Sequence, residues 1–393
     1  RPHIMYLGID LGTSNSVIAG IVDGQAKVFR PADGGEVLPS VIYFDKRGHR
    51  LYGRRAHDQA LISPDNVASG FKRLMGTSTP IEVKGVELSL TPEECSSEII
   101  RQLMGQAETE TGSKDFTGTV ITIPAAFNQM QSEATLRAAE MAGLKRVDLL
   151  QEPIAAAMAA MEGAKRSGQF LVYDLGGGTF DVALAQAING EVTIVTHQGI
   201  NMLGGRDFDR MLVNEIVRPW LQSKFNLPEN FQRSPDYQKL IRIAQLAAEK
   251  AKIDLSLKDE TTIFASDEDI RLHDLNEVEI YLDAPIKRSQ FEEMIRKPVM
   301  QTIDMIREML TENNYKTEDI DRIVFIGGPS RIPLVRQMVS NELGIAVDLK
   351  ADPMTAVAIG AAYYCESRQW GKDNVSEAKP LKASAAVPDE PNL

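Results

Sequence analysis

The sequence predicts an α/β protein of two duplicated lobes, with mixed sheets, flanking helices and a cleft between the lobes. Three observations lead to this prediction: the length of 393 residues, an Asp-Leu-Gly hairpin that occurs twice, and the same order of strands and helices after each hairpin. A chain of this length exceeds what one ordinary hydrophobic core holds, so two or more packed units are expected. The duplication indicates what those units are.

Two meanders of the same design open the two halves of the chain. Residues 6–9 form a short apolar strand that ends on Asp10-Leu11-Gly12-Thr13. Residues 170–173 do the same before Asp174-Leu175-Gly176-Gly177-Gly178-Thr179. Asp-Gly or Asn-Gly, the strongest short hairpin signals, then join two further strands in each half. These segments are 17–22, 23–24 and 27–29 in the first half, and 182–187, 189–190 and 192–196 in the second.

Each meander is followed, after an insertion, by a pair of strand–helix units, which indicates α/β lobes. The second unit of each pair begins its helix at an acid followed by proline, Glu152-Pro153 and Asp352-Pro353. The acid is expected to cap the helix and the proline to occupy its first turn. The predicted strands and helices are 119–123, 131–142, 147–150 and 154–161, then 322–326, 332–342, 347–350 and 354–364.

The boundaries of the predicted units follow from these elements. Residues 1–4 are interpreted as an extension left by expression, with Met5 as the natural start. The second insertion is expected to hold a helix over 240–252 and a strand region over 261–282. The units are lobe I core (5–36, 92–164 and 353–367), its strand- and turn-rich inserted subdomain (37–91), lobe II core (165–204 and 296–352), its inserted subdomain (205–295) and a flexible tail or linker (368–393).

Composition excludes several classes of function. The formal net charge of −12 disfavours a non-specific nucleic-acid binder, which needs a basic face. Cys95 and Cys365 have neither metal-ligand nor redox-pair spacing, as expected for a reducing cytoplasm. No apolar run approaches the roughly 18 residues of a membrane span, and no secretory leader is visible. We therefore expect a cytoplasmic protein that binds neither nucleic acid nor membrane.

The two Asp-Gly hairpins are the strongest candidates for chemistry. Consecutive amides in a glycine-rich turn form a concave anion site that can hold phosphates. Two such turns facing each other would grip a polyphosphate from both lobes. Asp10 and Asp174 would then hold a hydrated Mg²⁺, which prefers water with one or two carboxylates. The alternative is a pair of ordinary hairpins with Asp as turn former, and the duplication argues against it.

Other candidates remain open on the residues alone. Glu152 could orient an attacking water, or it could serve only as a favourable charge at a helix start. Thr13 and Thr179 could bond phosphate oxygens or only stabilise their turns. Lys72 could reach a transferring phosphate, although a lone lysine is more often solvated surface. Gly327-Gly328, between a strand and a helix, could face a nucleoside, but this pattern is weak alone.

Together these residues resemble the nucleotide-binding domain of DnaK-type 70-kilodalton heat-shock chaperones, in the actin and sugar-kinase-like ATPase superfamily. The resemblance covers about residues 5–365. It rests on several long motifs in the family's order. The motifs are GIDLGTSNS (8–16), FKRLMG (71–76), VITIPAAFN (120–128), EPIAAAMA (152–159), DLGGGTFDV (174–182), LGGRDFD (203–209), AEKAKIDLS (248–256), IGGPSRIP (326–333) and AVAIGAA (356–362).

The resemblance implies an actin-like ATPase fold that binds ATP or ADP in the cleft with Mg²⁺ and K⁺ and hydrolyses ATP slowly. Positioning and charge neutralisation dominate such phosphoryl transfer. Asp10 and Asp174 are the implied metal residues. The implied catalytic residues are Lys72, Glu152, Asp174, Thr179 and Asp181. The implied nucleotide-binding residues are Gly12, Thr13, Ser14, Gly176, Gly177, Gly178, Thr179, Gly204, Gly205, Glu249, Lys252, Ser256, Gly327, Gly328 and Arg331.

Four positions depart from the family's pattern. Pro329 replaces a serine that bonds adenine, and Met354 replaces an acid on the nucleoside side, so adenine selectivity is in question. Ser132 replaces an arginine that relays from Pro124, and Asp148 replaces an arginine that meets the J-protein partner and the substrate domain. Nucleotide chemistry is therefore expected to survive while coupling to a standard J-protein is altered.

The resemblance further implies a monomer that works with a divergent J-protein, a nucleotide-exchange factor and client polypeptides. The alternative is a non-catalytic, nucleotide-dependent interaction platform. An actin-like filament former is disfavoured by the DnaK-type helical insertion, and a sugar kinase by the lack of any sugar site. The client, and whether a substrate-binding domain follows residue 393, are open on the sequence.

Overall fold

The computed structural model describes residues 5–368, so the extension at 1–4 and the tail beyond Arg368 lie outside the described residues. The strands are β1 (Tyr6–Leu11), β2 (Asn15–Val22), β3 (Gln25–Phe29), β4 (Leu38–Pro39), β5 (Val41–Phe44), β6 (Arg50–Leu51), β7 (Val67–Ser69), β8 (Ile81–Val83), β9 (Leu88–Leu90), β10 (Gly118–Ile123), β11 (Val147–Gln151), β12 (Gly168–Leu175), β13 (Thr179–Ile188), β14 (Glu191–Asn201), β15 (Glu260–Ala265), β16 (Leu282–Lys287) and β17 (Arg322–Ile326).

Helices flank these strands in both halves. They are α1 (Arg54–Ile62), α2 (Pro92–Thr111), α3 (Gln129–Met141), α4 (Glu152–Ala160), α5 (Gly205–Leu212), α6 (Arg218–Lys224), α7 (Gln238–Asp254), α8 (Asp267–Ile270), α9 (Arg288–Glu312), α10 (Pro333–Leu343) and α11 (Ala356–Ser367). None of the helices over residues 5–368 is both long and apolar enough to cross a bilayer.

The two large sheets repeat one design, which confirms the predicted α/β fold with mixed sheets. In the first, the antiparallel meander β1-β2-β3 is extended beyond β1 by the parallel strands β10 and β11, and β4 pairs with β2. In the second, the meander β12-β13-β14 is extended beyond β12 by the parallel strand β17. The turns Asp23-Gly24 and Asn189-Gly190 have positive φ at both residues, as type I′ hairpins require.

The duplication is incomplete at the edge of the second sheet. The strand predicted at 347–350 is wrong, because only a single parallel bridge forms, between Val347 and Ile323. The Asp348 carboxylate accepts the amide of Ala351 at 2.9 Å, so the chain turns away directly after the bridge. An Asp that bonds the backbone a few residues on favours a turn over a ladder.

The predicted cap is wrong at the first acid–proline pair but not at the second. Glu152 is itself the first residue of α4 and makes no cap hydrogen bond, so it acts as an acid in the first turn. Asp352 lies ahead of α11, which begins at Ala356, and its carboxylate accepts the amide of Met354 at 2.8 Å. Pro153 occupies the first turn of α4, as predicted. Asp352 makes a capping bond to the amide two residues on, although the regular helix begins only at Ala356.

Two alanine-rich helices, α4 and α11, join the two sheets. A Cβ built on Gly360 of α11 would lie 1.7 Å from the carbonyl oxygen of Ala155 in α4, so only glycine allows this approach. A buried cluster around the two helices includes Val120 of the first sheet and Val172 of the second. Each sheet also packs against a hydrophobic cluster of its own. The sheets therefore meet through small residues rather than through interlocked large ones.

The inserted segments differ from their predictions in detail. The first carries the sheet β6-β5-β7 and the hairpin β8-β9, together with α1, which the sequence did not predict. The helix predicted over 240–252 is confirmed as α7, which buries Leu240, Ile243 and Ala247 on one face. The predicted strand region 261–282 is strand only at its edges, in β15 and the start of β16, with α8 between them.

Candidate active site

The two glycine turns meet at the junction of the sheets. Asp10 lies near the end of β1, and Asp174 near the end of β12, where it pairs with Asp181 of β13. A Cβ built on Gly177 would lie 2.8 Å from Oγ of Ser14, so the turn after β12 abuts the turn after β1. The sequence-predicted pair of turns is thus brought to one place.

Hydrogen bonds hold both turns in shape. Ser40 closes the first turn, since its hydroxyl donates to the carbonyl of Gly12 at 2.8 Å and its amide donates to the carbonyl of Ser14. In the second turn, the amides of Gly205 and Arg206 donate to the carbonyls of Gly176 and Gly177 at 2.9 and 2.8 Å. The backbone of the α5 start therefore supports the turn.

Glycine is required at two supporting positions. A Cβ on Gly204 would lie 2.6 Å from the carbonyl oxygen of Gly176. Gly327 has a φ of 90°, and its Cβ would lie 2.1 Å from the carbonyl oxygen of Leu175. Both positions bring a second backbone segment against the strand end that carries Asp174. What Gly204 and Gly327 provide is room for this close approach of two backbone segments.

Four carboxylates and one ammonium group share the space behind the turns. Lys72 lies in a short 3-10 helix, and its Nζ lies 3.2 Å from Oε1 of Glu152, with the two side chains 11% and 13% exposed. Burial would lower the pKa of Lys72, but the charges of Glu152 and Asp10 outweigh it and raise that pKa. Lys72 is therefore a buried ammonium held charged by acids, and not a solvated surface lysine.

The carboxylates are short of positive charge. Burial and then the charge of Glu152 raise the pKa of Asp10 to about 7, although Lys72 opposes the shift. The same two causes raise the pKa of Asp181 to about 6 and hold that of Asp174 well above its usual range. Carboxylates with raised pKa values in one site indicate an uncompensated negative charge. A divalent cation would relieve it.

The donor set fits a hydrated Mg²⁺. Within residues 5–368 no three acids, histidines or cysteines lie close enough to form an all-protein metal cage. Mg²⁺ retains several waters and is commonly held by one or two carboxylates with substrate phosphates. Asp10 and Asp174, at the ends of the facing strands, are the residues that would hold it in this way.

A pocket adjoins the carboxylates on the side of the second sheet. Its walls include Pro124, Glu152, Asp174, Asp181 and His197. His197 lies in β14 opposite Ala183, two residues beyond Asp181 on β13, so both side chains lie on one face of the sheet. Sequence reasoning missed His197, although hairpin register could have suggested it. The pocket has room for a small polar reactant beside the acids.

Side chains predicted to surround a nucleoside are engaged with one another. Nζ of Lys252 lies 2.8 Å from Oδ1 of Asp209 and donates to the carbonyl of Gly205 at 3.0 Å. Burial raises the pKa of Asp209 to about 6, with Lys252 opposing the rise. Glu249 bonds His57 of α1 at 3.2 Å, across the two insertions. The sequence analysis proposed Lys252 and Glu249 as residues around the nucleoside, and it did not anticipate these protein partners.

The residues that follow β17 form the other wall of this region. Arg331 donates two bonds of 2.8 Å to the Asp352 carboxylate and one of 2.9 Å to Glu36 of the first half. A Cβ on Gly328 would lie 3.1 Å from Sδ of Met354, and one on Gly205 would lie 2.8 Å from Cγ of Pro329. Pro329 and Met354, two of the departures from the family's pattern, thus line one edge.

Three further predicted site residues, Thr13, Thr179 and Ser256, are partly or fully exposed.

The structure corrects the expected placement of Asp148. Its side chain is 2% exposed and lies 3.2 Å from Nε of Arg368, at the end of α11, so it does not present an acid at a partner surface. Burial raises its pKa, with Arg368 opposing the rise. Ser132 is also buried, and its hydroxyl donates to the carbonyl of Asn128 at 2.9 Å. Asp148 lies in β11, whose residues are all buried. Its burial could not be predicted from the sequence, because it depends on the elements that pack against this strand.

Comparisons with known proteins show the family of this chain. A family model described as Hsp70 protein matches residues 6–378. Chaperone protein DnaK of Thermotoga petrophila is 38% identical over 363 residues, which cover 91% of this chain and 58% of that protein. Chaperone protein DnaK of Nitrosopumilus maritimus is 37% identical over 363 residues, 91% of this chain and 55% of that protein. The chain thus spans a little over half the length of these relatives, and it belongs to the Hsp70 family as a nucleotide-binding domain of the DnaK type.

Proposed function

We propose that the chain binds ATP between its lobes and hydrolyses it slowly, as the ATPase module of a DnaK-type chaperone. The observation that carries the proposal is the buried group of Asp10, Glu152, Asp174 and Asp181 around Lys72, beside two abutting glycine turns. Phosphates would lie against the turns and meet the ammonium group. Such a site stabilises phosphoryl transfer by position and charge.

Each residue has a separate task in the proposed mechanism. The turn residues Gly12, Thr13 and Ser14, with Gly176, Gly177, Gly178 and Thr179, would bind and orient the phosphates. Mg²⁺, when bound near Asp10 and Asp174, would neutralise phosphate charge. Lys72 would attract the terminal phosphate. Glu152 and Asp181, on the pocket wall, would hold the attacking water. Asp181, whose pKa is raised to about 6, could take a proton from that water.

The nucleoside would lie farther out. Gly204, Gly205, Gly327 and Gly328 would shape the backbone there, while Glu249, Lys252, Ser256 and Arg331 would surround it. Arg331 and Lys252 would have to exchange their present partners for the ligand, because both are held by acids. Together with Pro329 and Met354, this predicts weak adenine selectivity.

A single-turnover ATP hydrolysis assay tests the proposal. Lys72→Ala should slow hydrolysis by about a hundredfold, the usual effect of removing one electrostatic group from a phosphoryl or acyl transfer site. Lys84→Ala, an exposed lysine in the same inserted segment, should leave the rate unchanged. A Lys72→Ala variant as fast as the wild type would contradict the proposal.

The alternative is a nucleotide-dependent interaction platform without turnover. The bonds that already engage Arg331 and Lys252 bear on nucleotide affinity, which both functions need, so only turnover separates the two. Nucleotide binding without measurable hydrolysis by the wild type would support this alternative over the ATPase.

The remaining features of the proposal follow from the family. We propose a cytoplasmic monomer that works with a divergent J-protein, a nucleotide-exchange factor and client polypeptides, with K⁺ beside Asp10 and Asp174. The unit boundaries given above are part of the same proposal. Replacing K⁺ by Na⁺ in the hydrolysis assay tests the ion. Adding a general J-protein tests the coupling, and normal stimulation would show that Ser132 and Asp148 do not alter it.

A further inference from the structure

Two arginines from different parts of the chain converge on the outer side of the turn Gly177-Gly178. A Cβ built on Gly178 would lie 2.6 Å from Nη2 of Arg73 and 3.3 Å from Nη2 of Arg206. The two nitrogens are therefore no farther apart than the sum of these distances. Arg73 follows Lys72 in the 3-10 helix of the first half, whereas Arg206 is the second residue of α5 in the second half. The pair therefore joins the two halves of the chain.

The positive charge of this pair is not neutralised nearby. Within residues 5–368 neither guanidinium group forms an ion pair with an acid. Burial and then the charges of Arg73 and Arg210 lower the pKa of Arg206, and the charges of Asp207 and Asp209 oppose this shift without outweighing it. Arginine stays protonated in proteins, so the two groups repel each other where they stand. An anion between them would remove the repulsion.

The turn beside the pair offers donors suited to a phosphate. The amides of Gly177 and Gly178 donate no hydrogen bond to any atom of the described residues, whereas the amide of Gly176 donates to the carbonyl of Thr179. The Arg206 amide is tied to the Gly177 carbonyl at 2.8 Å, which fixes where the Arg206 side chain starts. Free turn amides and a forked guanidinium group are both common partners of phosphate oxygens.

We propose that Arg73 and Arg206 clamp the terminal phosphate of the bound nucleotide, so that the cleft closes fully only when this phosphate is present. The proposal rests on the proposed ATP binding and adds the residues that distinguish a triphosphate from a diphosphate. Lys72 approaches from inside the site, paired with Glu152, while the two arginines close the outer side. Loss of the phosphate restores their repulsion and favours opening. The phosphate can be the γ-phosphate of ATP or orthophosphate beside ADP.

Calorimetric nucleotide binding by the whole chain tests the clamp. The ligands, all with Mg²⁺, are a β,γ-imido analogue of ATP, ADP, and orthophosphate added to the ADP complex. Arg206→Gln and Arg73→Gln should each weaken the triphosphate analogue at least tenfold, which equals about 1.4 kcal/mol. ADP affinity should change less than twofold, which also shows that the variants fold. Arg210→Gln is the matched control, because Arg210 lies one turn farther along α5 and pairs with Asp207 at 3.2 Å.

Each outcome separates the two proposals. Selective loss of triphosphate affinity supports the clamp. If orthophosphate binds the wild-type ADP complex and this binding is lost in the variants, the clamp holds the free product as well. If orthophosphate does not bind the wild-type ADP complex, the clamp holds the γ-phosphate alone. Unchanged triphosphate affinity, or equal losses for triphosphate and diphosphate, would overturn the clamp while leaving ATP binding intact. A wild type that binds neither nucleotide would overturn the proposed function and the clamp together.

Discussion

Ionisable residues occupy two kinds of surroundings in this domain. The inner group, Asp10, Asp174 and Lys72 among them, is buried and carries more negative than positive charge. The outer group ties the halves of the chain together through His57 with Glu249, and Arg331 with Glu36. In the proposed function the charge imbalance of the inner group would attract a cation and phosphates. The outer contacts join the two halves, and Arg331 among them bonds two acids, Glu36 and Asp352.

The His57–Glu249 pair makes a prediction about pH. The hydrogen bond to Glu249 raises the pKa of His57 above its ordinary 6.5, although burial opposes it. Burial alone would raise the pKa of Glu249, but His57 outweighs it and lowers that pKa below 4.5. A raised histidine pKa contributes stability below the unfolded value and loses it as pH rises through the folded value. The acid's contribution is lost as pH falls through its own lowered pKa.

Urea unfolding between pH 5 and 8.5 measures this contribution. The difference in the free energy of unfolding between wild type and His57→Gln should be largest between the ordinary pKa values of the two groups, 4.5 for Glu249 and 6.5 for His57. It should shrink as the pH rises above 6.5. In a Glu249→Gln background this pH dependence should disappear. A difference that grows with pH would contradict the assignment.

Some site residues could be predicted from sequence and others could not. Asp10 and Asp174 belong to glycine turns whose local pattern predicts phosphate binding, whereas Lys72 and Glu152 were open on the residues alone and were assigned roles only through the family resemblance. Arg73 and Arg206 belong to the same motifs, but a sequence does not tell which way a long side chain runs. Contacts such as Lys252 with Asp209 depend on how α7 packs against α5, which is tertiary information.

At the scale of elements, the two meanders were predictable because glycine turns and alternating strands are local signals. The strand expected at 347–350 did not form as predicted. At the edge of the sheet it could pair with only one neighbour, and Asp348 bonds the backbone in a turn instead. The helix α11 was predicted, but it begins at Ala356 rather than at residue 354. Proline marks where a helix is permitted to begin, whereas packing against β1 and α4 decides where it does.

The close approach of α4 and α11 gives a test at this scale. Gly360→Ala would place a methyl group 1.7 Å from the Ala155 carbonyl oxygen, so the helices must separate. We expect a loss of about 1–3 kcal/mol in the free energy of unfolding, or more, as for other overpacked sites. Gly105→Ala, inside α2 where an added Cβ meets nothing within 4 Å, should instead gain up to about 1 kcal/mol. Equal effects of the two substitutions would contradict the packing argument.

At the scale of the whole molecule, the halves are joined by small residues inside and by charged pairs outside. The buried junction at α4 and α11 brings the ends of β1 and β12 together, and with them Asp10 and Asp174. The outer contacts, Arg73 beside Arg206 included, can change partner without breaking that junction. In the proposed function we therefore expect a cleft that opens at its rim while this base stays packed.

The central claim is that the two hairpins form one site rather than two. Single-turnover ATP hydrolysis, measured against Mg²⁺ concentration for Asp10→Asn, Asp174→Asn and the double variant, tests it most directly. Each single change should slow hydrolysis by about a hundredfold, the size expected for one electrostatic group. The double variant should be little slower than either, because residues that act as a unit are not additive. A wild-type rate in either single variant, or a double variant slowed by the product of two independent effects, would contradict the claim.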